Sequence, residues 1–342
     1  MWFRCTRPAQ SVFETGSRRR EEADSRIRLA LHSRLVTSAA AGVLPPRRTI
    51  GIMTAIEIKA THRPVIRGRA FAAGLRARAA RASLAECHLC AHHCGINRLL
   101  GQQGLCHAGA TARIFSAQVE VSDELEIIPT FAIALSGCDL RCAFCITGGE
   151  SWNPLAGVNL DAPAIARRVM DALTDGARSI MILGGEPTVH LPSALEIVSL
   201  LPDDAPLIWK TNAHGSAQAR EWLDGIFDIW LADYKFGNDQ CAQRLALVPR
   251  YNEIVRENLL WANEHSELIV RHLVMPGHVE CCWRPIARWL AENLPGVKIN
   301  LRSGFWPAWK AHTHAELRGT TSRSETELAF AIARDNDLRL IE

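Results

Sequence analysis

Three cysteines in this sequence are spaced as ligands of an iron–sulfur cluster. Cys138, Cys142 and Cys145 form a CxxxCxxC pattern that directly follows an apolar run. Cys thiolates are the usual ligands of such clusters, and four of them close a [4Fe–4S] cluster. Three thiolates from one loop therefore indicate a cluster with one iron left open to a small molecule. The alternative is a zinc site that takes a further ligand from elsewhere in the chain.

A second motif, Gly184-Gly185-Glu186-Pro187, comes about 40 residues later, at the end of another apolar run. Paired glycines at the end of a strand allow a ligand to approach the backbone closely. The carboxylate of Glu186 could accept hydrogen bonds from a ligand ammonium group. A plain turn between a strand and a helix is the alternative interpretation of this motif.

A second set of cysteines, called the Cys87 group here, consists of Cys87, Cys90, Cys94 and Cys106. Four soft ligands are enough to close a tetrahedral zinc site or a cubane cluster. The spacing leaves three possibilities open: structural zinc, an auxiliary Fe–S cluster that passes electrons to the first one, or reduced cysteines without a metal. Nearby histidines could replace one of the four: His88, His92, His93 and His107.

The four remaining cysteines, Cys5, Cys241, Cys281 and Cys282, stand apart from these two groups. Cysteine is among the residue types most often buried and packs as a small hydrophobe. We therefore interpret these four as buried packing residues or as surface thiols without a function.

Composition favours an ordinary cytoplasmic enzyme. The net charge of +3 over 342 residues argues against a nucleic-acid-binding surface spread over the whole protein. No apolar stretch approaches the roughly 18–20 residues that span a membrane, and the N-terminal residues do not resemble a signal peptide. In the cytoplasm thiols stay reduced, so grouped cysteines indicate metal or cluster ligation rather than disulfides.

The chain divides by composition into three parts. Residues 1–52 are rich in Arg and lack a sustained apolar period, which predicts a disordered tail, or a mis-called start if Met53 begins the protein. Residues 53–126 form an N-terminal extension that carries the Cys87 group, with an Ala-rich helix predicted over 71–85. Residues 127–342 are expected to form the core.

Short apolar runs in the core alternate with segments of helical period. Continuous apolar runs are typical of parallel strands that are buried on both faces. Repeated strand–helix units predict an α/β fold with a parallel sheet, either open or curled into a partial barrel, and its chemistry is expected at the carboxyl ends of the strands. The predicted strands are 130–136, 179–183, 206–210, 227–232, 268–274 and 298–301.

Charged residues follow several of these strands. We interpret Lys210, Asp233 and Lys235 as contacts for a cofactor or for an anionic substrate, although salt bridges at the rim of a barrel would use the same residue types. Arg271 and His272 are adjacent, so in a strand they face opposite sides. Only one of them can face the lumen, and we expect His272 to do so.

The CxxxCxxC motif with Phe144 before its third cysteine, followed by Gly184-Gly185-Glu186-Pro187, resembles the signature of the radical S-adenosylmethionine (SAM) superfamily. The resemblance implies a partial (β/α)6 barrel in which Cys138, Cys142 and Cys145 hold a [4Fe–4S] cluster. The open iron would be chelated by the amino and carboxylate groups of SAM. One electron would cleave SAM to a 5′-deoxyadenosyl radical, which abstracts hydrogen from a substrate. Gly184, Gly185 and Glu186 would bind the methionine part of SAM, and Phe144 would lie near its adenine.

A narrower resemblance, over 86–335, is to the radical SAM proteins related to pyruvate formate-lyase activating enzyme, some of which carry extra N-terminal cysteines. The pieces that match are 87–98, 104–106, 209–212, 231–236, 270–278 and 299–302. The chain departs from that pattern at Ala91-His92, Ile146-Thr147 and 303–306, which puts the substrate of the better-known relatives in doubt.

This narrower resemblance implies an electron donor such as flavodoxin or ferredoxin. The substrate would be a backbone glycine of a protein partner, as for the activating enzymes, or a small molecule in cofactor biosynthesis. The alternative from another class of protein is a non-catalytic module that binds Fe–S or zinc for structure or electron transfer.

Overall fold

An eight-stranded sheet organises the residues that this computed structural model describes, which are 68–122 and 124–341. The predicted tail 1–52 and the start of the predicted extension lie outside the described residues. The order across the sheet is β3-β1-β2-β4-β5-β6-β7-β8. The strands are β1 (Arg113–Glu120), β2 (Thr130–Leu135), β3 (Val158–Asn159), β4 (Ser179–Gly184), β5 (Leu207–Thr211), β6 (Ile229–Asp233), β7 (Glu267–Leu273) and β8 (Lys298–Arg302).

Strands β2 and β4 to β8 pair in parallel, and they correspond to the six apolar runs of the sequence. The order ends at β3 on one side and at β8 on the other, so the sheet is not closed. This confirms the predicted α/β fold with a partial parallel barrel. Strands β1 and β3 extend the sheet beyond β2 in antiparallel orientation, and the sequence analysis did not predict them.

Helices cover the outer face of the sheet. In the described part of the chain they are α1 (Arg69–Ala82), α2 (Gly148–Trp152), α3 (Ala162–Thr174), α4 (Leu191–Val198), α5 (Ala217–Leu223), α6 (Asp239–Ala246), α7 (Tyr251–His265), α8 (Arg284–Asn293) and α9 (Arg323–Asp335). Helix α1 agrees with the helix predicted over 71–85, and a short 3-10 turn, Ser83–Glu86, follows it. None of the described helices is long and apolar enough to cross a membrane.

The inner face of the sheet changes from apolar to polar along the strands. Side chains alternate between the two faces of a strand, so residues two apart share a face. Ile208, Leu231 and Ile269 belong to a buried apolar cluster on the inner face. The next inward positions on the same strands are Lys210, Asp233 and Arg271, and all three line a cavity. The amino ends of the strands therefore supply packing, and their carboxyl ends supply polar groups.

The cysteine-rich segment is attached to the same end of the sheet, near the loop that follows β5. Ala91 donates its backbone N–H to the His214 carbonyl at 3.0 Å, and Ser216 donates to Leu89 at 3.1 Å. The buried guanidinium of Arg98 donates to the carbonyl of Val189, after β4, at 2.8 Å. These contacts place the Cys87 group beside the carboxyl ends of the strands.

Candidate active site

A cavity of about 910 Å³ lies at the carboxyl ends of the parallel strands. Its volume is near the upper end of the range of about 300–1,000 Å³ that is usual for small-molecule sites. The cavity brings together most of the residues that the sequence analysis singled out: Cys138, Cys142, Phe144, Cys145, Gly184, Gly185, Lys210, Asp233 and Lys235.

The loop that follows β2, residues 136–147 and called the cysteine loop here, carries the three predicted cluster ligands. Its backbone is held by helix α6, because Arg141 and Ala143 donate N–H groups to the carbonyls of Ala246 and Leu245 at 3.0 and 2.8 Å. Burial raises the pKa of the Cys138 thiol well above its ordinary value and that of Cys142 to about 12. The nearby ammonium group of Lys235 acts in the opposite direction on Cys142.

The spacing of these three sulfurs fits a cluster better than a single ion. Among the described residues, Cys138, Cys142 and Cys145 do not form a group whose ligand atoms all lie within 4.8 Å of one another. One zinc ion with Zn–S bonds of about 2.3 Å would need such a group. A cubane distributes its thiolates over separate irons, so the donor set present here fits it.

The glycine pair joins the end of β4 to the cysteine loop. Gly185 donates its N–H to the Leu135 carbonyl at 2.9 Å, and Glu186 donates to Gly137 at 3.0 Å. A Cβ on Gly184 would lie 2.0 Å from the Leu135 oxygen, and one on Gly185 would lie 2.2 Å from the Gly137 oxygen. Glycine is therefore required at both positions for the two backbones to approach. The pair also lines the cavity, as predicted for a ligand-binding motif.

The Glu186 side chain is buried and is not among the residues that line the cavity. Its carboxylate accepts hydrogen bonds from the N–H and Oγ1 of Thr188 at 3.1 and 2.5 Å, from Thr211 Oγ1 at 2.9 Å and from the Asn212 N–H at 2.7 Å. The pKa of Glu186 is raised to about 7, mainly because the side chain is buried and secondly because of the negative charge of Asp139. These hydrogen bonds of the Glu186 carboxylate all come from other residues of the protein. Binding of a SAM ammonium group by Glu186 therefore stays a prediction.

Asp139, inside the cysteine loop, is the centre of a buried hydrogen-bond network. It accepts from Asn212 Nδ2 and from His214 Nδ1, each at 2.8 Å. Burial acts to raise the pKa of Asp139, but the hydrogen bonds from His214 and Asn212 outweigh it and lower this pKa. The Asp139 carbonyl is 3.0 Å from His92 Nε2. The network therefore connects the cysteine loop to β5 and to the cysteine-rich segment.

The cysteines of the Cys87 group are mostly buried, but their sulfurs do not form a compact cluster. Cys87, Cys90 and Cys106 are buried and Cys94 is half-buried. Burial, together with the charges of Asp139, Cys106 and Cys94, raises the pKa of Cys90. Among the described residues these four sulfurs do not converge within 4.8 Å. A Cβ on Gly104 would lie 2.8 Å from Cys94 Sγ, which explains the glycine in the Gly104-Leu105-Cys106 motif.

Positive charge dominates the polar lining of the cavity, where Lys210, Lys235, Arg271 and Arg302 accompany Asp233. Asp233 forms an ion pair with Lys235 and lies 3.6 Å from Arg271 Nε. Burial acts to raise the pKa of Asp233, but Lys235 and Arg271 lower it to about 2. This excess of cations suits anionic groups on whatever the cavity binds.

The expectation that His272 faces the lumen is wrong. Arg271 lines the cavity with Leu273, whereas His272 points to the outer face. The Nδ1–H of His272 donates to the Tyr234 carbonyl at 2.7 Å, and its ring stacks on Trp283 with centroids 4.8 Å apart. Burial lowers the pKa of His272 to about 4. His272 is therefore a neutral packing residue.

Aromatic residues shape the cavity near the cysteine loop. Phe144 packs edge-on against Phe236, with ring centroids 6.0 Å apart, and against Phe305 at 6.1 Å. Trp152 and the exposed Trp306 also line the cavity. These two were not predicted as site residues, and Asn212, Asn300 and Arg302 were not singled out within the matching pieces 209–212 and 299–302. Position at or just after a predicted strand was the available signal for Asn212, Asn300 and Arg302.

A family model described as the Radical SAM superfamily matches residues 133–290. The match covers the second half of β2, β3 to β7 and most of helix α8, together with the cysteine loop and the glycine pair. Residues 133–290 of the chain are therefore a radical SAM domain. The narrower resemblance to activating enzymes is not confirmed by this match.

Individual relatives differ in how much of the chain they share. An uncharacterized protein of Methanocaldococcus jannaschii is 29% identical over 267 residues, which are 75% of this chain and 76% of that protein. The 7-carboxy-7-deazaguanine synthase of Methanothermobacter thermautotrophicus is 31% identical over 103 residues, which are 30% of this chain and 40% of the synthase.

Two solved structures are similar at low sequence identity. SuiB of Streptococcus suis, bound to its precursor peptide SuiA, has a TM-score of 0.47 and 15% identity over 59% of this chain and 46% of SuiB. A radical SAM methyltransferase from Sphaerobacter thermophilus has a TM-score of 0.44 and 17% identity over 61% of this chain and 64% of that structure. The chain covers less than two thirds of either of them.

Proposed function

We propose that this protein reductively cleaves SAM at a [4Fe–4S] cluster and uses the resulting 5′-deoxyadenosyl radical to abstract a hydrogen atom from a substrate. The observation that carries the proposal is the cavity, which Cys138, Cys142 and Cys145 line together with Gly184 and Gly185. When bound, the cluster supplies one electron and an open iron for the amino and carboxylate groups of SAM.

The residues of the chain have separate tasks in this proposal. The three thiolates of the cysteine loop hold the cluster, and the glycine pair fixes that loop and offers backbone to the methionine part of SAM. Phe144 packs near the adenine. The protein contributes binding, orientation and exclusion of water, since the cofactor carries the bond-breaking chemistry.

Lys210, Asp233, Lys235 and Arg271 are proposed to bind the SAM carboxylate, the ribose or the substrate. The ligand-binding role that was expected of His272 is assigned to Arg271 instead, because the arginine lines the cavity. Asp233 is held ionised by the neighbouring cations, so it can accept hydrogen bonds from hydroxyl groups but cannot act as an acid.

The favoured substrate is an anionic small molecule. Four cationic side chains and one carboxylate line the cavity, and the buried Glu124 lies 3.2 Å from Arg271, so positive charge still exceeds negative charge and favours an anionic ligand. SAM brings a sulfonium cation as well as its carboxylate, so its binding leaves this excess of positive charge in place. The similarity to 7-carboxy-7-deazaguanine synthase, over 103 residues, agrees with a role in the biosynthesis of a small molecule.

A backbone glycine of a protein partner is the second candidate, as in the activating enzymes. The exposed side chain of Trp306, which lines the cavity, supports it, because aromatic residues are enriched where proteins bind proteins or peptides. We expect 5′-deoxyadenosine formation to rise on addition of whichever class of substrate is correct.

The electron is proposed to come from a donor such as flavodoxin or ferredoxin in a reducing cytoplasm. An auxiliary Fe–S cluster or a zinc ion in the Cys87 group would lie beside the cysteine loop, because His92 in that segment contacts Asp139. A cluster there could pass electrons to the cluster of the cysteine loop, whereas zinc would only stabilise the segment.

The test is to reconstitute the protein anaerobically, add SAM and dithionite, and measure 5′-deoxyadenosine by mass spectrometry. We expect the wild type to form it and the Cys142→Ala variant to lose it. Thr174→Ala is the control, since it removes an exposed hydroxyl that bonds within helix α3. If a cluster with an intact reduced EPR signal produced no 5′-deoxyadenosine, the proposal would fail in favour of a non-catalytic metal-binding module.

A further inference from the structure

We propose that Cys241, His278, Cys281 and Cys282, called the Cys241 group here, bind a zinc ion at a structural site separate from the cavity. Their ligand atoms all lie within 4.8 Å of one another. None of the four lines the cavity. Three of these residues are cysteines that were interpreted from the sequence as standing apart from the two cysteine groups. The fold brings these three together.

The distances within the Cys241 group are those of a tetrahedral site. The sulfurs of Cys241, Cys281 and Cys282 lie 3.6, 3.3 and 3.7 Å from His278 Nδ1. Cys281 Sγ is 3.9 Å from each of the other two sulfurs. Tetrahedral zinc with Zn–S bonds of about 2.3 Å and Zn–N bonds of about 2.0–2.1 Å separates its donors by about 3.5–3.8 Å. Paired cysteines in a disulfide would instead be about 2.05 Å apart.

Two elements that are distant in the chain supply the ligands. Cys241 lies in the first turn of α6, and the other three ligands lie in or next to the π-helical turn Val279–Trp283 that follows β7. Asn238, the N-cap of α6, accepts a hydrogen bond from the Cys241 N–H at 2.8 Å and donates to the Cys281 carbonyl at 2.7 Å. A single side chain thus fixes both halves of the site.

Polar groups around the site suit thiolate ligands. Asn238 Nδ2 lies 3.3 Å from Cys241 Sγ and 3.8 Å from Cys282 Sγ, within reach of N–H···S hydrogen bonds. His278 directs Nδ1 at the sulfurs, and its Nε2 is 3.7 Å from Glu316 Oε1. Metal-bound histidines usually have a carboxylate near their second nitrogen, and Glu316 occupies that position at ion-pair distance rather than hydrogen-bond distance.

The donor set favours zinc in a closed, structural site. Three thiolates and one imidazole form the Cys₃His set of structural zinc, and four protein ligands leave no position for a substrate. Cys241, His278 and Cys282 are buried, whereas Cys281 is exposed and gives the ion a path of entry.

We expect the zinc ion to help position the cysteine loop, although its ligands do not line the cavity. Helix α6 carries Cys241 in its first turn, and the carbonyls of Leu245 and Ala246 at its other end hold the cysteine loop. Zinc would fasten the start of this helix to the turn after β7. The inference does not depend on SAM cleavage, because it rests on the Cys241 group alone.

The test is the metal content of purified protein, measured by mass spectrometry. We expect the C241S/C282S variant to contain about one zinc ion per chain less than the wild type. The comparison variant is C87S/C90S, whose change in metal content reports on the Cys87 group, and the quadruple variant that combines both pairs should contain about one zinc ion per chain less than C87S/C90S. Equal zinc in the wild type and in C241S/C282S, or iron in place of zinc, would overturn the proposal.

A second measurement covers the case in which the double variant fails to fold. Cobalt(II) added to metal-depleted wild-type protein should give the intense visible absorption of tetrahedral cobalt and a thiolate-to-cobalt band in the near ultraviolet. The C281S variant changes only the exposed ligand and should weaken that band. A cobalt spectrum that is the same in wild type and C281S would contradict the site.

Discussion

The side-chain amide of Asn212 donates a hydrogen bond of 2.8 Å to the carboxylate of Asp139, and both groups are buried. This bond connects the end of β5 to the loop that carries the predicted cluster ligands. The backbone N–H of Asn212 also donates to Glu186 at 2.7 Å, so one residue contacts two buried carboxylates. The cysteine loop is therefore positioned by polar contacts as well as by packing.

Asn212→Ala should loosen the cysteine loop. The substitution keeps the backbone contact to Glu186 but leaves a buried oxygen of Asp139 without this donor, which costs about 1–3 kcal/mol. We expect a lower thermal midpoint and a lower iron content after reconstitution. Asn293→Ala is the matched control, because Asn293 makes an exposed contact within helix α8. Equal losses in both variants would contradict a specific role for Asn212.

Gly185→Ala should prevent the cysteine loop from meeting β4. The added Cβ would lie 2.2 Å from the Gly137 oxygen, so one of the two backbones must move. We expect little bound iron and no 5′-deoxyadenosine. The control is Gly149→Ala, at a position of α2 where a Cβ meets nothing within 4 Å. Normal iron content in Gly185→Ala would show that the close approach is not required.

Arg271→Gln tests the corrected assignment of the residue that faces the cavity. Removing this charge should raise the KM for SAM roughly tenfold, which corresponds to about 1.4 kcal/mol of binding free energy. Iron content reports whether the variant is folded. Arg250→Gln removes an arginine from an exposed ion pair with Glu253 and should leave the KM unchanged. The assignment would be refuted by the same KM in both variants.

The buried imidazole of His272 should make stability depend on pH. Its folded pKa of about 4 lies below the ordinary value of 6.5, so between these values the unfolded chain binds more protons. Stability is then lost as the pH falls from about 6.5 to about 4, by about 3 kcal/mol from this group. His272→Asn should show a smaller decrease of the thermal midpoint with falling pH than wild type.

The control for this pH dependence is His312→Gln, which removes an exposed histidine and should keep the wild-type decrease. The buried His190, whose pKa burial lowers to about 3, is present in every variant and contributes equally to each. A midpoint of His272→Asn that falls as steeply as that of wild type would contradict the assigned pKa.

The parallel strands were predictable because their apolar runs reflect burial on both faces. That same property concealed which face of β7 meets the cavity, since Leu268, Ile269 and Val270 are all apolar and do not reveal the alternation. Strand β1 was missed because most of it is half-buried and it lacks a continuous apolar run.

Contacts between distant parts of the chain could not be predicted from spacing. Cys241 and His278 are 37 residues apart and meet only because α6 and the turn after β7 follow neighbouring strands. The adjacent pair Cys281-Cys282, three residues after a histidine, was the available signal. The internal hydrogen bonds of Glu186 were equally hidden, because its partners Thr211 and Asn212 come from β5 and the position just after it.

The attachment of the cysteine-rich segment has a consequence for engineering a minimal catalytic domain. A truncated protein that began at residue 127 would lose β1 and expose the edge of β2 to pairing with other chains. It would also lose the contact of His92 with the Asp139 carbonyl and the hydrogen bond that Ser216 donates to Leu89. Shortened expression vectors should therefore retain the chain from α1 onward, and fusion tags belong before this helix.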